Sequence, residues 1–389
     1  MMSAKTSTAA MPALSTPQLP APSPEALAHS ARLSTQIRDA IAAAEGWIAF
    51  PRYMALALYA PGLGYYAGGA AKFGGAGDFV TAPELTPLFG RTLARPIADS
   101  LAQTGGDLLE LGAGSGRLAV EVLHELERLH ALPPHYFILE ISPDLRARQQ
   151  ALLAAEIPHL YSRVIWLDAL PGTLRGVVLA NEVLDALPAH LIHWTAHGPM
   201  ERGVALDPEN GAFVWADRAI REPALAAAAA ALPITPPYLS EINLAANALV
   251  ASLSERLQAG MMLFLDYGFA RHEFYHPQRH TGTLKVHYRH HSLDDPFFLP
   301  GLADITTHVD FTAIATVAES HGLTVRAFSS QGRFLLDAGL LDQLAMLTPG
   351  TREYMQAVVA VQKLVQPHEM GELFKVVALG RDVDSPTGG

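Results

Sequence analysis

The chain has 389 residues, with 27 Lys+Arg against 38 Asp+Glu, a formal net charge of −11, half of its residues hydrophobic and no cysteine. That length predicts about two domains, or one core domain with large insertions, and the apolar content excludes disorder of the whole chain. Without cysteine there is no disulfide scaffold, zinc finger, iron–sulfur site or thiol nucleophile; the negative balance argues against binding a phosphate backbone and leaves room for a cationic substrate or partner.

Residues 1–30 hold one Lys, five prolines and no apolar core, and the first arginine is Arg32. Neither a secretory signal nor an Arg-rich mitochondrial transit peptide reads that way, so the segment is expected to be a disordered tail on a soluble, cytoplasmic protein. The longest small-apolar run, 224–232, falls far short of the ~20 residues of a membrane span. Leu33, Ile37, Ile41 and Ile48 recur at roughly four-residue spacing and predict an amphipathic helix interrupted near Gly46. Seven glycines between Gly62 and Gly77 mark a loop able to order over a ligand. Residues 31–104 are therefore expected to form an N-terminal cap of helix and glycine-rich loop.

Strand and helix signals alternate next. Strands are expected at 108–111, 136–140, 164–167 and 176–180, with helices at 117–129 and 143–155, so 105–187 forms one half of a core. Residues 188–259 read as an insertion, with β-hairpins over 190–215 and a crossover helix over 239–257. Strands at 261–267, 323–328 and 373–379, with mainly helical sequence at 333–364, make 260–380 the second half, and 381–389 is expected to be an unstructured tail. This pattern predicts an α/β fold with a doubly wound, Rossmann-like sheet and a ligand site at the carboxyl ends of its strands.

Glu110-Leu-Gly112-Ala-Gly114-Ser-Gly116 follows the first strand and opens a helix. Such glycines let backbone approach a ligand and aim free helix N–H groups at it. The dinucleotide fingerprint G-x-G-x-x-G would put its third glycine where Arg117 stands, which disfavours a nicotinamide dehydrogenase. The spacing instead suits a nucleoside whose carboxylate and amine lie over the loop, as in S-adenosylmethionine. Glu140 ends the second strand, where an acid accepts from both ribose hydroxyls. Asp168 and Ala169 end the third, at the expected adenine edge. The fourth strand runs into Asn181-Glu182-Val183-Leu184-Asp185, beside the point where a transferred group would leave. Asn181 offers both an amide and a carbonyl, and the carboxylates Glu182 and Asp185 suit a planar guanidinium fork, although Asp185 also fits a helix cap.

These segments, together with Gly77-Asp78-Phe79-Val80-Thr81-Ala82-Pro83-Glu84, Leu265-Asp266-Tyr267-Gly268, Thr307-His308-Val309-Asp310-Phe311, Gln331-Gly332 and Met370-Gly371-Glu372, resemble the MidA family of class I S-adenosylmethionine methyltransferases over about residues 33–380. The resemblance implies a seven-stranded class I fold, S-adenosylmethionine as cofactor, no metal, and methylation of arginine in a protein such as a subunit of NADH:quinone oxidoreductase. It implies catalytic roles for Glu182 and Asp185, cofactor contacts from Glu110, Gly112, Gly114, Gly116, Glu140, Asp168, Ala169 and Asn181, and substrate contacts from Asp78, Glu84, Tyr267 and His308. Ala82 and Ala113 stand where many members have Ser or Pro. A small-molecule methyltransferase and a cofactor-binding assembly protein without turnover stay open, as does the oligomeric state, a homodimer included. The irregular histidine stretch 272–291, interleaved with Arg271, Arg279, Lys285 and Arg289, reads as a solvated basic loop, a surface for a partner rather than a metal site.

Overall fold

The computed structural model describes residues 19–68 and 81–386. Its central sheet contains β1 (Asp107–Leu111), β2 (Tyr136–Leu139), β3 (Val164–Leu167), β4 (Leu174–Asn181), β5 (Leu257–Phe269), β6 (Thr324–Ser330) and β7 (Phe374–Arg381). Their order is β3-β2-β1-β4-β5-β7-β6, parallel from β3 to β5, with β7 antiparallel to both its neighbours. A two-residue strand, Val309–Asp310, runs parallel to the end of β5.

The helices that matter to the site are α1 (Pro24–Ala43), α2 (Phe50–Tyr59), α3 (Pro87–Thr104), α4 (Arg117–Arg128), α5 (Pro143–Glu156), α6 (Leu244–Arg256) and α7 (Phe311–Ser320). Successive residues of β4 point to opposite faces, and both faces are covered. Val177 and Leu179 pack with α3 and α4, whereas Val178 and Ala180 pack with α6 and α7. This double burial explains why the central strands read as near-continuous apolar runs. A third apolar cluster joins α1 and α2 to the chain that follows β4 and β5: Leu33, Ile37, Phe50 and Tyr53 pack with Leu191, Val204, Val286 and Ile305. The strand Trp47–Ala49 pairs antiparallel with Gly198–Leu206, so the N-terminal extension and the insertion share a second sheet. A third, small sheet pairs Lys285–Tyr288 with Asp304–Thr306 and His291–Leu293.

Four sequence expectations are corrected. The N-terminal helix starts at Pro24, inside the presumed tail, because the Ser23 hydroxyl accepts from the Ala26 N–H at 3.2 Å and proline fits the first turn. Ile48 belongs to a strand rather than to that helix. Residues 239–257 divide into the strand Tyr238–Ile242 and α6, since Asn243 caps the helix through the Ala246 N–H at 2.9 Å. The C-terminal segment is held rather than loose: Arg381 ends β7, Val383 is buried, and the Asp384 N–H donates to Gln103 at 2.9 Å.

β5 enters the sheet through Gly260, at φ 138°, where a Cβ would lie 1.8 Å from the Gly176 carbonyl oxygen. Gly260→Ala is therefore expected to destabilise the fold by about 1–3 kcal/mol. Urea melts of the two proteins measure this, and coincident curves would refute the close-approach reading.

Candidate active site

The chain winds outward from β1 to β2 and β3, then returns to place β4 on the other side of β1. At such a reversal the crossovers diverge and open a crevice at the carboxyl ends of the strands. Here it is a cavity of about 460 Å³. It is lined by the ends of β1, β2 and β4, by Tyr59, Tyr65 and Tyr66 from the N-terminal extension, and by His287, Asp304 and Thr306 from the small sheet. Six acids line it, Glu84, Glu110, Glu140, Glu182, Asp185 and Asp304, and among the described lining residues there is no Lys or Arg.

One side is built on the glycine turn. Gly112 and Gly114 sit at φ 60° and 55°, conformations that cost a residue with a Cβ, and they bring bare backbone to the cavity. Gly116 does not line it; it starts α4 close against Gln149 of α5. Gln149 is fully buried and ties the parts together. Its Nε2 donates to the Gly114 carbonyl at 3.0 Å and to Glu140 Oε2 at 2.9 Å, while Oε1 accepts from Trp166 Nε1 at 3.0 Å. Glu140 Oε1 accepts from the Ser142 N–H at 2.9 Å, and burial raises its carboxyl. Glu110 accepts from the Tyr136 hydroxyl at 2.8 Å, and burial pushes it up to about 8. The short helix Ala82–Leu85 carries Glu84 to the glycine turn, where the Ser115 hydroxyl donates to it. Asp168 and Ala169 do not line the cavity: Asp168, its side chain 87% exposed, pairs with Arg146 at 2.5 Å.

The other side is acidic. β4 ends at Asn181, and Glu182 takes φ 54°, a strained value for a residue with a side chain. Asp266, at the end of β5, holds this turn. Its Oδ2 accepts from the N–H groups of Val183, Leu184 and Asp185 at 3.1, 2.8 and 3.3 Å, and its Oδ1 from that of Tyr267 at 2.9 Å. Asn181 Nδ2 donates to Glu182 Oε1 at 3.0 Å, whereas Asn181 Oδ1 and Asp185 Oδ1 are buried without a hydrogen-bond partner. Burial, then the charge of Asp185, pushes Glu182 up to about 8; burial, then Asp266 and Asp304, raises Asp185 well above the ordinary carboxylate range. Tyr267 lines the cavity with its ring packed on Phe374, centroids 3.8 Å apart. His308 lies behind Tyr267 rather than in the cavity, and burial lowers it to about 4, so it is neutral at pH 7. Asp78 and the far half of the glycine-rich loop lie outside the described residues.

Sequence reasoning missed Gln149, Asp304 and the anchoring role of Asp266. Gln149 carried a signal, a polar residue between Leu145 and Leu153 on the buried face of α5. Asp304 carried another, an acid between Ala303 and Ile305 in an apolar stretch.

A doubly wound sheet of this strand order, with a glycine turn after β1 and an acid after β2, defines a class I S-adenosylmethionine-dependent methyltransferase. Comparison with known proteins agrees. The family model Methyltransf_28, for S-adenosyl-L-methionine-dependent methyltransferases, matches residues 92–329, and the chain belongs to that family. A crystal structure of a COG1565 superfamily member from Burkholderia thailandensis bound to S-adenosyl-homocysteine is 48% identical, with TM-score 0.91, covering 94% of this chain and 96% of that one. Among curated proteins, "Protein arginine methyltransferase NDUFAF7, mitochondrial" of Danio rerio is 28% identical over 364 residues, 85% of this chain and 83% of its own length. The Homo sapiens protein of that name is 28% identical over 370 residues, 86% and 80% of the two chains. These relatives are named as mitochondrial, which overturns the expectation of a cytoplasmic location. No described helix is long and apolar enough to cross a membrane.

The cavity fits the cofactor. The orphaned Asn181 Oδ1 can accept from its ammonium, Glu140 keeps acceptor sites free for ribose hydroxyls, and Ile141, 70% exposed beside Glu140, offers an apolar surface to the base. Glu140→Gln is expected to weaken S-adenosylhomocysteine binding at least about tenfold, since hydrogen bonds to a charged group contribute ~1.5–3 kcal/mol each. Calorimetric titration reads this directly; unchanged affinity would remove Glu140 from the site. The Glu182 carboxyl also links stability to pH. Its folded value, about 8, lies above its ordinary 4.5, so its contribution is complete below pH 4.5 and lost as pH rises through about 8. Glu182→Gln stays neutral throughout, so its melting temperature should gain on the parent protein's between pH 5 and pH 8. A constant difference across that range contradicts the raised value.

Proposed function

We propose that this methyltransferase acts on the guanidinium of an arginine in a protein. The observation that carries this reading is the pair Glu182 and Asp185 on a clamped turn, in a cavity lined by acids and by no described Lys or Arg. The names of the curated relatives point the same way. The finer target we propose is a subunit of NADH:quinone oxidoreductase, the substrate that the MidA resemblance implies.

S-Adenosylmethionine, when bound, supplies an electrophilic methyl group on its sulfonium. Glu110, the glycine turn, Glu140 and Asn181 hold its polar parts and so fix where that methyl points. Arginine has a pKa above about 12, so no side chain here simply deprotonates it beforehand. The Glu182 carboxylate accepts from one edge of the guanidinium, orients it and concentrates electron density on the attacking nitrogen. As the N–C bond forms and the S–C bond breaks, that nitrogen loses a proton. Without a cation beside it, burial holds this carboxyl near 8 and so largely protonated at neutral pH; the arriving guanidinium favours the ionised form, which can then take the released proton. Holding the reacting atoms ~3–3.5 Å apart in line can supply ~7–11 kcal/mol of the barrier, so positioning is the larger contribution.

The test is incubation of the protein with radiolabelled S-adenosylmethionine and cell lysate, followed by mass spectrometry of the labelled peptide. Methylarginine is expected in a protein band, and Glu182→Gln should reduce labelling by about 10²–10⁴-fold while S-adenosylhomocysteine affinity stays within about twofold. Label confined to a metabolite would replace the protein substrate with a small molecule, and joint loss of labelling and cofactor binding would make Glu182 a cofactor or scaffold residue.

A further inference from the structure

Of the six acids that line the cavity, Glu84, Asp185 and Asp304 take no step in the reaction above, and among them only Asp304 comes from the small sheet. Asp304 is 9% exposed and lies on the strand Asp304–Thr306, directly across from His287 of Lys285–Tyr288. It therefore reaches the cavity from the small sheet, whereas Glu182 and Asp185 reach it from the end of β4. The groups are close enough for the charge of Asp304 to raise both Glu182 and Asp185.

The side chain is held in place. The Tyr66 hydroxyl lies 3.1 Å from each of its oxygens. Tyr66 is fixed in turn: its carbonyl accepts from the Ser142 hydroxyl at 2.7 Å, and its ring stacks on Tyr59, centroids 5.5 Å apart at 19°. Tyr59 then donates to the Ala186 carbonyl at 2.7 Å, on the turn that carries Asp185. A hydroxyl has one proton to give, while a carboxylate has about four acceptor sites, so Tyr66 does not by itself saturate Asp304. Like charges at this density persist in a dry cavity when a cation enters among them. A guanidinium presents five N–H groups in one plane along more than one edge, whereas an ammonium is a compact point charge that a single carboxylate can satisfy.

We propose that Asp304, oriented by Tyr66, is a second substrate-binding carboxylate that grips the edge of the guanidinium turned away from Glu182 and so selects arginine over lysine. The inference rests on the arginine reading of the cavity. It assigns Asp304 a role in specificity and Tyr66 a positioning role, and it explains why a tyrosine from the N-terminal extension reaches across to the small sheet.

The test uses the full chain saturated with S-adenosylhomocysteine, titrated with N-acetylargininamide and with N-acetyllysinamide. The parent protein is expected to bind the arginine probe in preference. Asp304→Asn should weaken that binding at least about tenfold and narrow the preference, with S-adenosylhomocysteine affinity within about twofold. If the parent protein binds S-adenosylhomocysteine but not the arginine probe, the arginine reading fails and takes this inference with it. If the parent protein binds the probe and Asp304→Asn binds it equally well, the inference alone is overturned. Should Asp304→Asn fail to melt cooperatively, Tyr66→Phe decides: it keeps the carboxylate, removes the hydrogen bond from Tyr66, and should cost about threefold or more in arginine affinity. Unchanged affinity in that variant overturns the proposal.

Discussion

Asp266 gathers four backbone N–H groups around one buried carboxylate, and three of them belong to the turn that displays Glu182 and Asp185. Other contacts support that turn from outside: Tyr59 donates to the Ala186 carbonyl at 2.7 Å, Asn243 Nδ2 to the Leu187 carbonyl at 3.0 Å, and the Thr307 N–H to the Asp185 carbonyl at 3.0 Å. The turn follows a strand end, begins with a residue at positive φ and belongs to no helix. Without the clamp, Glu182 would relax to a commoner backbone conformation and its carboxyl would leave the neck of the cavity. The clamp is itself an acid raised by burial and by Glu182, and its charge in turn raises Asp185. Anchoring and acidity are thus one electrostatic problem, and a substitution at Asp266 changes both together.

The site as a whole trades stability for affinity. Six acids converge on a cavity whose described lining includes no Lys or Arg, so the empty protein carries a negative field there, weakened where burial raises Glu110, Glu182 and Asp185 toward their neutral forms. Cofactor and substrate are each expected to bring positive charge into that field. Their binding relieves repulsion already present in the folded chain, and so stabilises it by mass action. The aromatic wall of Tyr59, Tyr65 and Tyr66 closes one side with apolar surface, which keeps the dielectric low and the interactions strong.

Much of this was legible in the sequence. The seven strands of the central sheet, the glycine turn, Glu140 and the acids after β4 follow from apolar runs punctuated by glycine and terminal carboxylates, because parallel strands buried on both faces leave that pattern. What was not legible came from single local caps and from contacts distant in sequence. The helix boundary at Pro24 depends on one capping serine, and the split near Asn243 on one capping asparagine. Asp168 looked like a ligand residue by position, yet Arg146 of the preceding helix α5 competes for it. Asp304 drew no reading from the sequence, and only strand pairing opposite His287 brings it to the cavity, more than a hundred residues after Glu182.

β7 is among the last segments of the chain and occupies an interior place in the sheet, between β5 and β6. During synthesis the ribosome must therefore release all the other strands of the sheet before the long edge of β5 is covered. Until residue 381 has emerged, eight residues of that strand, from Gly260 to Tyr267, lack their partners. A nascent or prematurely terminated chain would expose an apolar edge ready to pair with its neighbours on a polysome. The order in which the sequence lays down its strands thus makes the protein's birth, more than its folded life, the stage that calls for a chaperone.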